Sequence, residues 1–456
     1  MKTYSYKPFK EELSVLKGPE LVALKEVSEG WFVDYKVEPP NAKNLARHLA
    51  AFANERGGWL FIGVQEDERG GMTAGSFPGI PSGAVDSALV QLREASSAHL
   101  SPQVFFEQKV IHGPVSEIGL PSDQAVIIVG IPEGNSPPYV HSSGQIYRRV
   151  ADQSTPKPET DRGVLDHLWN RGQRTRDRLR DFLTDLPQLS EAEKTGPARA
   201  YVYFLPSLDF SGDRLNLTFR EFAEVMSSGG PGKEGISVPF DNIFTTTDGF
   251  LARQTKDNDP LLAGLSFRWW SDGRAVVHIP INVYDFGEVN LQLDPMQKEF
   301  LQILRDHGYQ GGRVAEMSLF GVALAATTDK YLLLREKAGV TGPFFGKVRL
   351  CGTWRLIPFI NFRPYLEATK KYGFPVIQDE SMYCPPGTSK ESLLELGEQW
   401  RGDPKLRSLA LAVWMLGPVL QGAGIPIDHL WGELGNQVYV ELVQSMQDSL
   451  RQKAVR

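Results

Sequence analysis

The sequence contains little cysteine, no excess of positive charge and no run of apolar residues long enough to cross a membrane. Its 456 residues include two cysteines, Cys351 and Cys384. Two cysteines exclude a disulfide scaffold and a four-cysteine zinc site, and they favour a reducing, cytoplasmic location. The 49 Lys and Arg residues against 55 Asp and Glu give a formal net charge of −6. This balance argues against a protein that coats nucleic acid non-specifically, although it permits a local basic groove.

The apolar segments of the sequence are shorter than membrane spans. The longest run, residues 409–420, contains Gly417-Pro418, so we predict a buried helix that ends there. The first residues lack the apolar core that a signal peptide needs. We therefore expect no membrane partner for this protein.

Several catalytic motifs are also missing. The nearest pieces to a phosphate-binding loop, residues 230–233 and 342–347, lack the Gly-x4-Gly-Lys-Ser/Thr spacing and its hydroxyl. No His-Glu-x-x-His and no Gly-x-Ser-x-Gly is present. These absences argue against ATP hydrolysis, a zinc protease and an α/β-hydrolase.

The overall composition and length indicate a multidomain globular protein. Hydrophobic residues are 41% and charged residues 23%, an ordinary globular mixture, and the length predicts two or three domains. We predict an α+β fold: an N-terminal core with a mixed sheet and two helices, an α+β region, and a helical C-terminus. The predicted divisions are an N-terminal core at 10–155, a basic linker helix at 156–195, an α+β domain of unknown role at 196–387 and a helical segment at 388–456.

Acidic residues follow a buried strand in the N-terminal region. Residues 59–64 are continuously apolar, which is typical of a strand buried on both faces, and Glu66 and Asp67 come directly after it. Before this strand, Asn41 is expected to cap an amphipathic helix. Earlier still, Asp34 and Lys36 alternate in a short predicted strand, so both side chains point to one face.

These residue types suit phosphodiester cleavage. Hard cations such as Mg²⁺ and Mn²⁺ prefer carboxylate oxygens, and cleavage needs a cation that neutralises developing charge and activates water. The ammonium of Lys36 beside a carboxylate-bound cation would contact a phosphate. The alternative interpretation is that these side chains form an ordinary surface ion pair.

Four segments in this order resemble the Schlafen core, an Alba-like domain found in Schlafen proteins and in many bacterial proteins. No single segment is specific, but all four fall in order across about 130 residues, under a third of the chain. The segments are Glu29-x4-Asp34-Tyr-Lys36, Ala51-Phe-Ala-Asn54-x2-Gly57-Gly58-x-Leu-x-Ile62-Gly63-Val64, Pro137-Pro138-Tyr139 and Tyr147-x-Arg149-Val.

The resemblance implies a three-carboxylate site, since nuclease members of that family bind a divalent metal with three carboxylates and cut RNA. Carried over to this sequence, it implies that Glu29, Asp34 and Glu66 hold Mg²⁺ or Mn²⁺, with Asp67 adjacent, and that Lys36 serves the scissile phosphate. Asp34 stands where the family has Glu, and Glu66 where it has Asp. Each departure changes the reach of a carboxylate by about one methylene, and catalytic constellations tolerate only small displacements.

Basic residues that follow the core are candidates for substrate binding. We predict that Arg148, Arg149, Arg174 and Arg178 contact the backbone of the nucleic acid. The alternative is that these arginines are solvated surface residues.

The resemblance gives the functional hypothesis: a cytoplasmic, metal-dependent endoribonuclease that cleaves structured, tRNA-like RNA in defence or stress response, with DNA as the alternative nucleic acid. Eukaryotic Schlafen cores pair two related lobes, and this chain shows one, so we predict a homodimer. The second hypothesis is a non-catalytic nucleic-acid-binding regulator on the same core. A third is an interaction protein whose C-terminal half binds a protein partner.

Overall fold

The computed structural model describes residues 4–11, 13–67, 71–150, 155–185, 198–206, 215–228, 238, 240–256, 259–287, 293–340, 342–396 and 407–427. The chain divides into two compact units, Met1–Arg178 and Leu179–Arg456. The division falls inside the long helix Arg162–Thr184, which occupies much of the predicted linker. Residues 186–195 of that linker lie outside the described residues. The mixture of helices and strands confirms the predicted α+β class.

The first unit is built on a mixed sheet. Strand β1 pairs parallel to β2, whereas β8 pairs antiparallel to β2, β5 and β7. The strands are β1 (Val33–Lys36), β2 (Gly57–Ile62), β3 (Gln65–Asp67), β4 (Thr73–Ser76), β5 (Ile80–Pro81), β6 (Leu100–Ser101), β7 (Glu107–His112), β8 (Gln124–Pro132), β9 (Val140–His141), β10 (Tyr147–Arg148) and β11 (Lys157–Pro158). The helices are α1 (Ala42–Asn54), α2 (Val85–His99) and α3 (Arg162–Thr184), with 3₁₀ turns at Gly18–Glu26, Ser82–Ala84 and Ser116–Ile118.

Strand β2 is buried on both faces, as its continuous apolar sequence predicts. Leu60 and Ile62 belong to one apolar cluster with residues of α1 and α2, whereas Trp59 and Phe61 belong to a second cluster on the opposite face. The alternation of side chains along a strand explains this division. Helix α1 starts where predicted, because the Asn41 side chain accepts a hydrogen bond from the backbone N–H of Asn44 at 2.9 Å.

Two glycines let β2 approach α1 and β1 closely. Gly57 has φ of +76°, in the left-handed region that favours glycine. A Cβ atom at Gly58 would lie 2.3 Å from the Phe52 ring and 2.7 Å from the carbonyl oxygen of Phe32. This close approach sets the parallel register in which Asp34 lies opposite Leu60.

Asn54, at the end of α1, holds the segments that follow β8. Its side-chain nitrogen donates to the carbonyl oxygens of Tyr139 and Tyr147, and its side-chain oxygen accepts from the N–H of Tyr139 at 2.7 Å. Asn54 is fully buried, so these bonds have no competition from water. They position the chain that leads into Arg148 and Arg149.

Replacing Asn54 by Ala is expected to destabilise the first unit by about 3 kcal/mol or more, because each buried polar group left unsatisfied costs about 1–3 kcal/mol. Urea unfolding followed by circular dichroism measures this. Asn170→Ala, at an exposed position in α3, is the matched control and should leave the free energy of unfolding unchanged or slightly raised. Equal stability of N54A and the wild type would contradict the prediction.

The second unit contains an antiparallel sheet and a smaller mixed sheet. In its described part the large sheet has the order β13-β14-β15-β16-β12-β19-β21, with β22 also paired to β19, and the small sheet has the order β17-β18-β20. The strands are β12 (Arg199–Leu205), β13 (Asn242–Thr246), β14 (Gly249–Lys256), β15 (Asp259–Trp270), β16 (Ala275–Pro280), β17 (Val283–Asp285), β18 (Arg313–Glu316), β19 (Phe344–Cys351), β20 (Ile357–Phe359), β21 (Ser381–Cys384) and β22 (Leu394–Leu396). The helices are α4 (Phe219–Ser227), α5 (Pro295–Asp306), α6 (Met317–Lys337), α7 (Arg363–Tyr372) and α8 (Arg407–Gly422).

Helix α6 is long and apolar enough to cross a membrane by length and composition alone, although the sequence analysis found no such segment. Of its most apolar window, 72% is buried inside the protein. Phe320, Leu324, Tyr331 and Leu334 of this helix belong to the main apolar core of the second unit. The packing is that of a core helix.

The predicted helical C-terminal part is present as α8, and its details differ from the expectation. The beginning of the predicted segment holds a 3₁₀ turn at Lys390–Ser392 and then β22, because Leu394–Leu396 pair with the edge of β19. Helix α8 continues past Pro418 to Gly422. Val419 and Leu420 are fully buried, and their packing outweighs the roughly 3 kcal/mol that an internal proline costs. Residues 428–456 lie outside the described residues.

Candidate active site

Asp34 is a fully buried carboxylate surrounded by three basic side chains. Its neighbours Val33 and Tyr35 pack into an apolar cluster, so strand alternation turns Asp34 toward α1. Its Oδ1 accepts a hydrogen bond from Nζ of Lys36 at 2.5 Å. Its Oδ2 lies 2.6 Å from Nδ1 of His48 and 3.3 Å from Nη1 of Arg149. Both carboxylate oxygens are therefore engaged within the protein.

These contacts keep Asp34 ionised. Burial alone would raise the pKa of the carboxyl group, but hydrogen bonds with His48 and Glu29 and the positive charges of His48 and Lys36 oppose this effect. They outweigh it and hold the pKa of Asp34 well below its usual value. The predicted site thus contains one carboxylate whose negative charge is already balanced.

Glu29 lies between Asp34 and Glu66. Its Oε1 accepts a hydrogen bond from the backbone N–H of Tyr35 at 3.2 Å and lies 3.8 Å from Nζ of Lys36. Burial raises the pKa of Glu29 to about 9, together with hydrogen bonds to the carboxyl groups of Asp34 and Glu66 and the charge of Asp34, against the effect of Lys36. At neutral pH the Glu29 carboxyl group therefore carries a proton in the cation-free protein.

A hairpin brings Glu66 to Glu29, and the two carboxyl groups form a hydrogen bond. Strands β3 and β4 pair with Glu66 opposite Ala74, and the backbone N–H of Glu29 donates to the carbonyl oxygen of Met72 at 2.8 Å. Oε2 of Glu66 is buried, and Glu66 forms no ion pair with a basic side chain among the described residues. Asp67 follows in the strand, is exposed, and points to the opposite face.

The fit of this carboxylate set to a divalent cation depends on which oxygens are available. In the part of the chain that the structure describes, no group of three or more His, Cys, Asp or Glu side chains is arranged to hold a metal ion. Mg²⁺ usually takes one or two carboxylates together with waters and phosphate. Glu29 and Glu66 fit this smaller requirement, because neither is enclosed by basic side chains as Asp34 is. The ligand roles of Glu29, Asp34, Glu66 and Asp67 stay predictions.

The comparisons with known proteins agree with the sequence resemblance. Residues 29–158 match the family model "Schlafen, AlbA_2". This segment is a Schlafen-type domain. The match relates the domain to nucleic acids, and some members of the family are nucleases. No curated protein matches the chain.

Solved structures also resemble a part of this chain. One is the DIP2311 protein from Corynebacterium diphtheriae, with 20% identity and a TM-score of 0.20; the match covers 32% of this chain and 24% of that chain. Another is the N-terminal domain of a "Putative ATP-dependent DNA Helicase RecG-related Protein" from Nitrosomonas europaea, with 20% identity and a TM-score of 0.21, covering 32% of this chain and 87% of that chain. These scores are too low to support a functional argument.

The Schlafen-type domain contains two site residues whose roles sequence reasoning missed. His48 contacts Asp34 through its Nδ1 atom. Its position among Leu45, Leu49 and Phe52, on the buried face of α1, is the signal that marks it. Arg149 is 1% exposed; it donates to the carbonyl oxygens of Gly30 and Val33, and its guanidinium lies 4.8 Å from the centroid of the Phe52 ring.

The predicted substrate-binding arginines occupy different environments. Arg149 compensates the buried charge of Asp34, so the structure places it inside the domain and not at a phosphate-facing surface. Arg148 forms ion pairs with Glu55 and Glu159, and these carboxylates already neutralise it. Arg174 and Arg178 are exposed on α3, where contact with a nucleic acid is sterically open. Substrate contact by Arg148, Arg174 and Arg178 stays a prediction.

Proposed function

We propose that this protein is a metal-dependent endoribonuclease that cleaves structured, tRNA-like RNA. The observation that carries the proposal is the contact of the Glu29 carboxyl group with those of both Asp34 and Glu66, with the ammonium of Lys36 beside Asp34 and Glu29. Carboxyl groups in contact cannot all be ionised without repulsion, and the raised pKa of Glu29, about 9, lets it hold a proton instead. A divalent cation would replace that proton and favour the ionised carboxylate.

Each residue of the proposed site has a distinct task. Glu29 and Glu66 would hold Mg²⁺ or Mn²⁺, and the bound cation supplies charge neutralisation and an activated water. Lys36, with 26% of its side chain exposed, can reach a phosphate of the substrate. Asp34 holds the Lys36 ammonium in place, while His48 and Arg149 fix the orientation of Asp34.

Cation binding is expected to tighten as the pH rises toward 9. The pKa of Glu29 is raised to about 9, so a ligating Glu29 must release a proton that it holds at neutral pH. For one released proton the affinity for Mn²⁺ rises about tenfold per pH unit below that value. Calorimetric titrations with Mn²⁺ in buffers of different ionisation enthalpy measure the proton release directly. A pH-independent affinity between pH 6 and about 8 would show that Glu29 is not a ligand.

The decisive experiment is cleavage of RNA by the full chain. End-labelled tRNA and plasmid DNA are incubated with Mn²⁺, Mg²⁺ or EDTA, and the wild type is compared with Glu66→Gln and with Glu38→Gln, which alters an exposed carboxylate close to β1. The expected result is metal-dependent RNA fragments with the wild type and E38Q, and none with E66Q or EDTA. Absence of cleavage by the wild type under all conditions would refute the proposal.

One observation favours the second candidate, a non-catalytic nucleic-acid-binding regulator. The charge of Asp34 is fully balanced by Lys36, His48 and Arg149 without any cation. Such a protein would bind RNA equally well with Mn²⁺ or EDTA, and Glu29→Ala would leave the affinity intact. Filter-binding measurements with Mn²⁺ and with EDTA, on the wild type and on Glu29→Ala, distinguish the two functions.

We also infer a homodimer, since one Schlafen-type lobe is present where eukaryotic Schlafen cores pair two. Light scattering on the purified protein is expected to give twice the chain mass of 50.8 kDa. A mass equal to one chain, over the concentration range used for cleavage, would contradict this inference.

A further inference from the structure

A group of basic side chains lies on and beside helix α1. We call Lys43, Arg47, His99 and His141 the basic cluster. His99 ends α2, and the pairing of Leu100 with His141 joins β6 to β9. The two imidazole rings consequently stack with centroids 6.3 Å apart and an interplanar angle of 17°. Nε2 of His141 lies 3.1 Å from the carbonyl oxygen of Lys43 in the first turn of α1.

Arg47 follows Lys43 by one helical turn, so both side chains lie on the same side of α1. The guanidinium of Arg47 lies 5.3 Å from the centroid of the Tyr147 ring, and the same ring packs edge-on against His141 at 5.3 Å. Nε of Arg47 is buried and has no hydrogen-bond partner among the described residues. Neither Lys43 nor Arg47 forms an ion pair with a carboxylate in the described part of the chain.

The charges of the cluster act on one another. Burial lowers the pKa of His141, and the positive charges of Arg47, His99 and Lys43 lower it further. Hydroxyl groups line the same place: Oγ of Ser143 lies 2.7 Å from Nδ1 of His141, and Oγ of Ser142 lies 3.1 Å from Nδ1 of His99. The positive charges of Lys43 and Arg47, with imidazole and hydroxyl groups beside them, match the chemistry of a site that binds an anion, and in particular a phosphate group.

A purely structural role explains only part of this arrangement. The bonds of His141 to Lys43 and Ser143 tie β9 to α1, which accounts for its burial. They do not account for Nε of Arg47, which is buried without a hydrogen-bond partner among the described residues. An anionic ligand would accept a hydrogen bond from Arg47, and the exposed Lys43 ammonium, one helical turn away, is free to contact the same ligand.

We propose that the basic cluster binds a backbone phosphate of the nucleic acid, with Lys43 and Arg47 as the phosphate contacts and the two histidines as positioning residues. The nucleic-acid nature of the ligand rests on the proposed function. Arg47 immediately precedes His48, which contacts Asp34, so the phosphate held here belongs to a nucleotide close to the cleavage site. The cluster thus sets the path of the strand relative to the carboxyl groups.

Binding measured without cleavage tests this proposal. A fluorescently labelled single-stranded RNA is titrated with the full chain in EDTA, and the anisotropy is recorded over a series of KCl concentrations. The variant Lys43→Gln with Arg47→Gln is compared with Lys10→Gln with Arg93→Gln, which removes the same charge from exposed positions of the same unit. Loss of two contacts is expected to reduce the slope of log K against log [KCl] by about 1.4, since each phosphate contributes about 0.7 on single strands. The control pair should leave the slope unchanged.

Each outcome decides the question. Equal slopes for the cluster variant and the control pair, or no RNA binding by the wild type, would overturn the proposal. Displacement of RNA by inorganic phosphate beyond that by KCl of matched ionic strength, if it is equal in the wild type and the cluster variant, would place phosphate binding elsewhere and overturn the proposal. The single variants K43Q and R47Q, each checked for an unchanged melting temperature, should give about half of the slope change. RNA binding that depends on the cluster in a protein that cleaves nothing would refute the nuclease and leave this inference standing.

Discussion

Replacing Glu29 by Gln (E29Q) is expected to reduce metal-dependent RNA cleavage by more than about 100-fold, above the 10–100-fold typical of residues that only support a ligand. The reason is the loss of a proposed cation ligand, the Glu29 carboxylate, which contacts the carboxyl groups of both Asp34 and Glu66. Because the raised pKa of Glu29, about 9, keeps it protonated at neutral pH, the neutral amide resembles the native cation-free state. The fold should therefore survive, and only the activity should be lost. Initial cleavage rates on end-labelled tRNA measure the effect.

The E29Q substitution should also change how the free energy of unfolding depends on pH. The folded-state pKa of Glu29 lies above its ordinary value of 4.5, so the folded state binds more protons between these values. The free energy of unfolding of the cation-free wild type must then fall as the pH rises from 4.5 to 9. E29Q lacks this contribution and should gain relative stability as the pH rises. Thermal melts in EDTA at several pH values test this, with Glu38→Gln as the control that follows the wild type.

The expected effect of E29Q on cleavage and its expected effect on stability can each be contradicted independently. Full cleavage activity in E29Q would remove Glu29 from the reaction. A melting temperature of E29Q that falls relative to the wild type at high pH would show that Glu29 is ionised in the folded protein, contrary to the carboxyl group contacts.

Replacing Asp34 by Asn (D34N) is expected to cause a large loss of stability, in contrast to E29Q. The substitution leaves the buried Arg149 guanidinium, together with Lys36 and His48, without the carboxylate that balances them. Breaking a buried ion pair by removing one partner costs about 3–5 kcal/mol. For a unit of this size the melting temperature should fall by roughly 10 °C. Circular dichroism and differential scanning calorimetry measure it.

The pH dependence of the D34N effect has a definite sign. The pKa of Asp34 is held below its ordinary value of 3.8, so the native carboxylate contributes its stability above that value and loses it on further acidification. The difference between D34N and the wild type should be constant at neutral pH and shrink below about pH 4. Asp123→Asn, at an exposed position, is the matched control. If D34N and the wild type had the same melting temperature at neutral pH, the three basic groups would not need the Asp34 carboxylate for the stability of the fold.

The E29Q and D34N variants distinguish the roles of two neighbouring carboxyl groups. Glu29 is protonated and replaceable, as expected of a group that acts when a cation arrives. Asp34 is ionised and balanced, as expected of a group that organises Lys36. The three carboxylates are equivalent in the sequence pattern, but their surroundings make them chemically different.

The sequence by itself determined the local parts of this protein. The cap at Asn41 and the apolar spacing along α1, the continuous apolar run of β2, and the shared face of Asp34 and Lys36 all follow from neighbouring residues. Local periodicity and capping fix such features, because they depend on contacts a few residues apart. The order of these segments also predicted the Schlafen-type domain.

Only the tertiary structure decided which groups meet at the site. His48 reaches Asp34 because α1 packs on the sheet, and Glu66 reaches Glu29 because the β3–β4 hairpin folds back. Arg148 and Arg149 are adjacent in sequence, yet one pairs with surface carboxylates and the other lies beside Asp34. Strand alternation predicts that neighbouring residues face opposite ways, but it does not say which face is buried. That choice, and with it the charge balance of the site, depends on contacts between segments far apart in the chain.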